Sequence, residues 1–171
     1  MNQSCRSGFA ALCGLVLVAC SPGASAPDAR VETDVADGDI RPFMGSWQTV
    51  GSIVAPWFVG AERSPEPDPE FLASTLVLAP ASSTGPAALA CPSPDRSVTT
   101  LPREALFEGA FTDVDGEGPA LGVTRKNVPT LVEDCASANG DRSLSYHLLD
   151  DDTLLLALND TVYQFDRVKD R

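Results

Sequence analysis

The sequence predicts a small all-β domain of about eight antiparallel strands. Between residues 43 and 168 the apolar runs are short, and turn-forming residues interrupt them at regular intervals. The last three runs are separated by Asp150-Asp151-Asp152 and by Asn159-Asp160, which are typical of tight hairpin turns. Helix signals are few and short. These features favour a small up-and-down β-barrel with one or two short helical turns, and a β-sandwich is the alternative.

The predicted strands follow the apolar runs in chain order. The first strand region covers 47–58 and is interrupted by a glycine and by a proline. The others cover 75–79, 87–91, 96–101, 131–135, 143–149, 153–158 and 161–168. Short helical turns are predicted over 68–72, where Asp68 is an N-cap followed by a proline, and over 102–107, which ends before Gly109.

The N-terminal segment has the features of an export signal. Arg6 supplies a positive charge, and the apolar run over 9–19 is too short to span a bilayer comfortably. This run ends in Leu-Val-Ala followed by Cys20, which resembles the lipobox of bacterial lipoproteins. The resemblance implies cleavage before Cys20 and attachment of lipid to its thiol. The alternative is an ordinary secretory signal that is cut near residues 24–26.

The resulting organisation has three parts: a signal peptide over 1–19, a disordered tether over 20–41 and a β-domain over 42–171. Ser21, rather than an aspartate, follows the lipidated cysteine. In Gram-negative lipoproteins that feature implies an outer-membrane anchor, and we expect the domain to face the periplasm.

The charge of the chain restricts its partners. The full chain has a formal net charge of −12, and removal of the signal takes away one positive charge, that of Arg6. Such acidity argues against binding nucleic acid, whose phosphates would repel the chain. It also argues against electrostatic attachment to anionic lipid, so membrane attachment must come from the acyl chains.

The cysteines predict one disulfide. Cys5 and Cys13 leave with the signal peptide, and Cys20 carries lipid, so Cys91 and Cys135 remain. An even pair in an exported domain is most simply a disulfide. The alternative is a metal or redox pair, but the chain has no CxxC spacing and a single histidine. We therefore expect neither a metal nor another cofactor.

Both ends of the domain carry a family resemblance. Gly45-Ser46-Trp47 opens the first strand, and Arg167 lies in the last. This is similar to the calycin arrangement of lipocalin-like barrels, in which a G-x-W tryptophan begins strand one and an arginine of the final strand lies across its ring. The resemblance implies barrel closure by Gly45, Trp47 and Arg167. Other lipocalin motifs, notably a T-D-Y-like stretch, are absent from the sequence.

The domain also resembles a group of small proteobacterial lipoproteins. The shared features are the G-x-W start, a cysteine after a G-P-A-L-like strand, a later cysteine and a D-D-D-T-L-L-L-like hairpin. They extend over about residues 43–168.

Candidate catalytic chemistry is sparse. His147 lies on a predicted strand near Ser145, but no G-x-S-x-G elbow is present, so a structural histidine is the favoured interpretation. The segment 113–117 superficially resembles a calcium loop, but it lacks ligand positions that such a loop needs. A solvated acidic loop is the favoured interpretation there. We expect no catalytic residues.

Two function classes remain, and an enzyme is the least favoured third. The first is a non-enzymatic envelope lipoprotein that binds a small apolar ligand in a lipocalin-like barrel. The second is a protein-binding module, such as an inhibitor of an exported hydrolase or an accessory subunit of an envelope complex. Trp57 and Phe58 would form a recognition surface if they are exposed at a barrel mouth, although aromatic residues are core by default.

Overall fold

The computed structural model describes residues 38–58, 67–111, 113–136 and 141–169. Cys20, the signal peptide and most of the tether lie outside the described residues. The described residues form eight strands: β1 (Gly45–Val54), β2 (Thr75–Ala79), β3 (Ser82–Thr84), β4 (Asp95–Pro102), β5 (Asn127–Cys135), β6 (Arg142–Asp150), β7 (Thr153–Leu158) and β8 (Thr161–Arg167). The helical segments are two 3-10 segments, η1 (Arg41–Phe43) and η2 (Arg103–Gly109), and one α-helix, α1 (Val114–Ala120). No helix in the described segments is long and apolar enough to cross a membrane.

The strands form one antiparallel sheet in the order β3-β2-β1-β8-β7-β6-β5-β4. The first and last strands, β1 and β8, pair with each other, as expected for an up-and-down barrel. The sheet curls into a half-barrel of the lipocalin-like, all-β class. The predicted fold class is confirmed, and the sandwich alternative is wrong because these strands make one sheet.

Two separate apolar clusters lie on the two faces of the sheet. The inner cluster draws on nearly every strand and includes Trp47, Tyr146 and Phe165. The outer cluster forms where the segment 106–123 covers the opposite face of β5–β8. Strand β6 shows the alternation, because Tyr146 belongs to the inner cluster and Leu149 to the outer one. The outer face of the sheet is therefore partly a second core.

The half-barrel has a seam between β3 and β4, which lie at the two ends of the hydrogen-bonded order. Arg96 of β4 crosses this seam. Its Nε donates to Oε2 of Glu133 at 2.8 Å, and its Nη2 donates to Oγ of Ser83 at 2.6 Å. The Ser83 hydroxyl in turn donates to Oε2 of Glu133 at 2.5 Å. The buried Arg96–Glu133 pair belongs to neighbouring strands β4 and β5, and its hydrogen bonds to Ser83 connect it to β3 where backbone pairing stops.

The predicted disulfide reinforces the same seam. Cys91 and Cys135 are bonded, with their Cα atoms 5.9 Å apart. Cys91 also makes an isolated β-bridge with Ser83 of β3, while Cys135 ends β5. The disulfide therefore ties the β3 side of the seam to the β5 side, and the expected pairing is confirmed.

Several predicted elements need correction. Residues 87–91 do not form a strand; they form a turn whose Leu89 is buried in the inner cluster. The segment 113–117 is not an open acidic loop, because Asp113 caps α1 by accepting the Gly116 amide with its side chain at 3.2 Å. The short turn predicted over 68–72 is present, and the Asp68 side chain caps it by accepting the Glu70 amide at 2.9 Å.

Candidate ligand-binding site

The barrel-closure residues form a tight structural contact. Trp47 is fully buried, and the guanidinium carbon of Arg167 lies 4.0 Å from the centroid of its ring. The two residues are direct partners across β1 and β8. The Arg167 guanidinium also donates from Nη1 to the carbonyl of Met44 at 2.8 Å and from Nε to the carbonyl of Asp151 at 2.6 Å. The arginine thus links the first strand to the β6–β7 turn.

Gly45 leaves room for this arginine. Its φ is +132°, a backbone conformation that side chains disfavour, and a Cβ there would lie 3.0 Å from Nη1 of Arg167. The glycine of the G-x-W sequence therefore has a steric explanation. Gly45, Trp47 and Arg167 therefore join β1 to β8 at this end of the sheet.

Large side chains occupy the inner face of the half-barrel. Trp47, Tyr146, Phe43, Phe71 and Phe165 are all fully buried in this cluster. Phe71 also stacks on Tyr163, with ring centroids 4.7 Å apart. The inner face is therefore a packed core.

A cavity of about 340 Å³ lies on the outer face of the sheet. Ser143, Ser145 and His147 of β6 line it as a polar row, because alternate residues of a strand share one face. Trp57, Phe107 and Glu108 line the cavity from outside the sheet. The lining combines aromatic surface with hydroxyl groups, one imidazole and one carboxylate.

His147 is the most deeply buried polar residue of this row. Its exposed fraction is 2%, and its Nδ1 lies 2.9 Å from the hydroxyl oxygen of Thr130, its partner on β5. Burial lowers the pKa of His147 from 6.5 to about 4, so the ring is neutral at physiological pH. When Thr130 donates to the carbonyl of Val128 at 3.3 Å, Nδ1 donates to Thr130 and Nε2 remains a hydrogen-bond acceptor.

Aromatic rings pack against one another beside this histidine. The ring of Phe107 meets that of His147 edge to face, with centroids 4.7 Å apart. Trp57 packs on Phe107 at 5.1 Å and on Phe111 at 6.2 Å. Trp57 is half-buried, whereas Phe58 is 38% exposed. Of the two aromatic residues that we expected at a recognition surface, Trp57 lines the cavity and Phe58 lies on the surface.

A strained backbone segment positions Phe107 and Glu108. Their φ values are +51° and +61°, and Gly109 follows at +73°, so three consecutive residues are left-handed. Each non-glycine residue in that region costs about 1–2 kcal/mol. Such strain persists only where the surrounding contacts hold it, and it is concentrated at functional sites. Here it places the Phe107 ring over His147 and the Glu108 side chain at the cavity.

The acidic segment 113–117 does not form a metal site in the part of the chain that the structure describes. Within the described residues no group of three or more His, Cys, Asp or Glu side chains is arranged to hold a metal ion. Asp115 of the calcium-like segment pairs instead with Arg103. Cys20 lies outside the described residues.

Sequence reasoning missed most of the cavity. It did not select Phe107, Glu108 or Ser143. One signal was available: Ser143, Ser145 and His147 alternate with apolar residues along a single predicted strand.

Comparison of the chain with protein-family models, with curated proteins and with solved structures found no match.

Proposed function

We propose that this protein is a non-enzymatic, lipid-anchored protein of the bacterial envelope that binds a small ligand in the outer-face cavity. The observation that carries the proposal is the cavity itself. Its volume of about 340 Å³ is at the lower end of the range of about 300–1,000 Å³ found for small-molecule sites. Its lining of aromatic rings with a few polar groups is also typical of such sites.

The anchor rests on the N-terminal sequence. The apolar run over 9–19 that ends at Cys20 supports cleavage and lipidation at that cysteine. The Cys91–Cys135 disulfide supports an oxidising compartment such as the periplasm. Ser21 supports an outer-membrane address.

The proposed place of binding differs from a conventional lipocalin mouth. The inner face is occupied by packed aromatic and aliphatic side chains, whereas the outer face carries the cavity. The ligand in this proposal is small and mixed in character: apolar where it meets Trp57 and Phe107, and hydrogen-bonding where it meets Ser145 and His147.

A non-enzymatic role is supported by the environment of the single histidine. Its Nδ1 is hydrogen-bonded to Thr130, and its lowered pKa makes it a weak base. A catalytic triad would need a serine and an orienting acid in hydrogen-bond contact with this ring. Neither Ser143 nor Ser145 makes such a contact with His147 within the described structure.

Calorimetric titration with indole, a neutral aromatic probe with one N–H donor, tests the proposal. We expect the purified protein to bind indole. The variant Ser145→Leu places a bulkier apolar side chain in the cavity and should lose most of that binding. Phe58→Ala is the matched control, because Phe58 is a neighbouring aromatic residue that does not line the cavity. Binding that is unchanged in Ser145→Leu, or absent from the parent protein, would contradict the proposal.

A second candidate function, protein binding, is favoured by exposed apolar side chains on the half of β1 that does not pair with β2. Val50, Ile53 and Val54 are 53%, 41% and 40% exposed, and Phe58 follows them in the chain. Exposed apolar patches are typical of interaction surfaces. The partner would be an exported hydrolase that the protein inhibits or a subunit of an envelope complex, and the acidity of the chain favours a basic partner.

Cross-linking in intact cells separates this candidate from ligand binding. We expect a specific cross-linked partner to be lost in Val50→Lys and retained in Leu72→Lys, which places the same charge at an exposed apolar residue elsewhere. Equal cross-linking in the two variants would count against the β1 surface.

A further inference from the structure

We propose that the outer-face cavity selects a small organic cation, a quaternary ammonium or a protonated amine, over neutral molecules of the same shape. This inference rests on the proposed function, because it names the class of ligand that the same cavity takes. Three properties of the lining carry it: its charge, its aromatic surface and its hydrogen-bonding groups.

The charge of the cavity is negative. Glu108 is the only charged side chain among the described residues that line it. Within the described structure no lysine or arginine pairs with Glu108; the nearby Arg103 pairs instead with Glu104 and Asp115. The net charge of the whole chain, −12, has the same sign. An anionic ligand would meet repulsion from Glu108 and from the net negative charge of the chain.

His147 does not reverse this sign. It is the only other titratable side chain among the described lining residues, and burial keeps its ring uncharged at neutral pH. The negative charge of Glu108 is therefore not cancelled within the cavity. Glu108 is itself exposed at the rim of the cavity, so a bound cation would gain a modest, solvent-screened attraction from it.

The aromatic residues favour a cation over an ordinary polar group. Trp57 and Phe107 both line the cavity, and tryptophan is the aromatic residue that attracts cations most strongly. Quaternary ammonium groups are recognised in proteins by aromatic surfaces of this kind. An alkylated ammonium group also presents apolar surface to the rings, which a bare metal ion would not.

The polar lining supplies acceptors for a donor-bearing ligand. Ser143, Ser145 and Asn159 line the same cavity. Hydroxyl and amide oxygens can accept hydrogen bonds from a protonated amine or from a hydroxyl of the ligand. The left-handed segment 107–109 places the backbone of Glu108 beside the cavity, and ring contacts with Trp57 and His147 hold Phe107 there.

The experiment compares choline with its uncharged carbon isostere, in which a tert-butyl group replaces the trimethylammonium group. Both are titrated calorimetrically into the full-length protein at low salt. We expect choline to bind about fivefold more tightly than the isostere. This is the gain in affinity that one solvent-exposed charge interaction typically gives. Added salt should weaken choline binding and leave the isostere unchanged.

Two variants and one control locate the effect. Glu108→Gln should weaken choline binding about fivefold and leave the isostere within about twofold, because only the charge is removed. Glu104→Gln, an exposed carboxyl on the same segment that does not line the cavity, should change neither affinity. Trp57→Phe keeps an aromatic ring and should weaken choline binding by a smaller factor.

The results separate this inference from the proposed function. Equal affinity for choline and its isostere, or identical behaviour of Glu108→Gln and Glu104→Gln, overturns the preference for a cation. If the protein binds indole but not choline, the preference for a cation is also overturned, whereas the proposed function is left intact. If indole, choline and the isostere all fail to bind, the cavity is not a ligand site and both proposals fall.

Discussion

Removal of the Cys91–Cys135 disulfide is expected to destabilise the domain by about 4 kcal/mol. The two cysteines are 44 residues apart in the chain. In the loop-entropy model, a cross-link over that length lowers the entropy of the unfolded chain by an amount worth about 4 kcal/mol at 25 °C. Typical domains have unfolding free energies of about 5–15 kcal/mol, so the loss would be a large part of the total.

The assay is urea unfolding of the parent protein and of the double variant Cys91→Ala/Cys135→Ala. Both cysteines are buried, so the variant also loses the packing of two sulfur atoms. Reduction of the parent protein with a thiol isolates the cross-link, because it leaves those atoms in place. The reduced parent should lose nearly as much stability as the double variant, and the reductant should not change the variant. A loss below about 1 kcal/mol on reduction would refute the reasoning.

Two further predictions concern His147 and Gly45. The folded pKa of His147, about 4, lies below its ordinary value of 6.5, so its stabilising contribution is complete above pH 6.5 and is lost as the pH falls towards 4. Between pH 7 and pH 4.5 the parent should lose about 2.5 kcal/mol more unfolding free energy than His147→Gln, and equal losses would contradict the buried neutral ring. Gly45→Ala should cost about 1–3 kcal/mol because of its positive φ, whereas Gly51→Ala, at a position with open space around Cβ, should cost less in the same unfolding assay.

The regular strands could be predicted because local sequence determines them. Strands β2 and β7 have the predicted bounds, since short apolar runs between turn residues leave little choice. Strand β3 has only three residues, too few to show a period. The apolar run 87–91 looks like a strand but is buried by tertiary contacts, through Leu89 in the core and Cys91 in the disulfide. Helix α1 was missed because it contains two glycines and a proline.

The cavity could not be predicted because its parts are distant in the chain. Trp57 follows the end of β1, Phe107 and Glu108 belong to η2, and His147 lies on β6. Nothing in the local sequence around Phe107 and Glu108 indicates a left-handed conformation, which glycine adopts far more readily. Their placement depends on the packing of the segment against the outer face.

The measurement that tests the binding account most directly is an NMR titration of the protein with choline, observed along β6. Ser145 and His147 face the outer cavity, whereas Tyr146 and Leu148 face the packed interior. One strand therefore reports on both faces under the same conditions. The account predicts side-chain shift changes at Ser145 and His147 and none at Tyr146 and Leu148. Shifts confined to Tyr146 and Leu148 would place the ligand inside the half-barrel and contradict it.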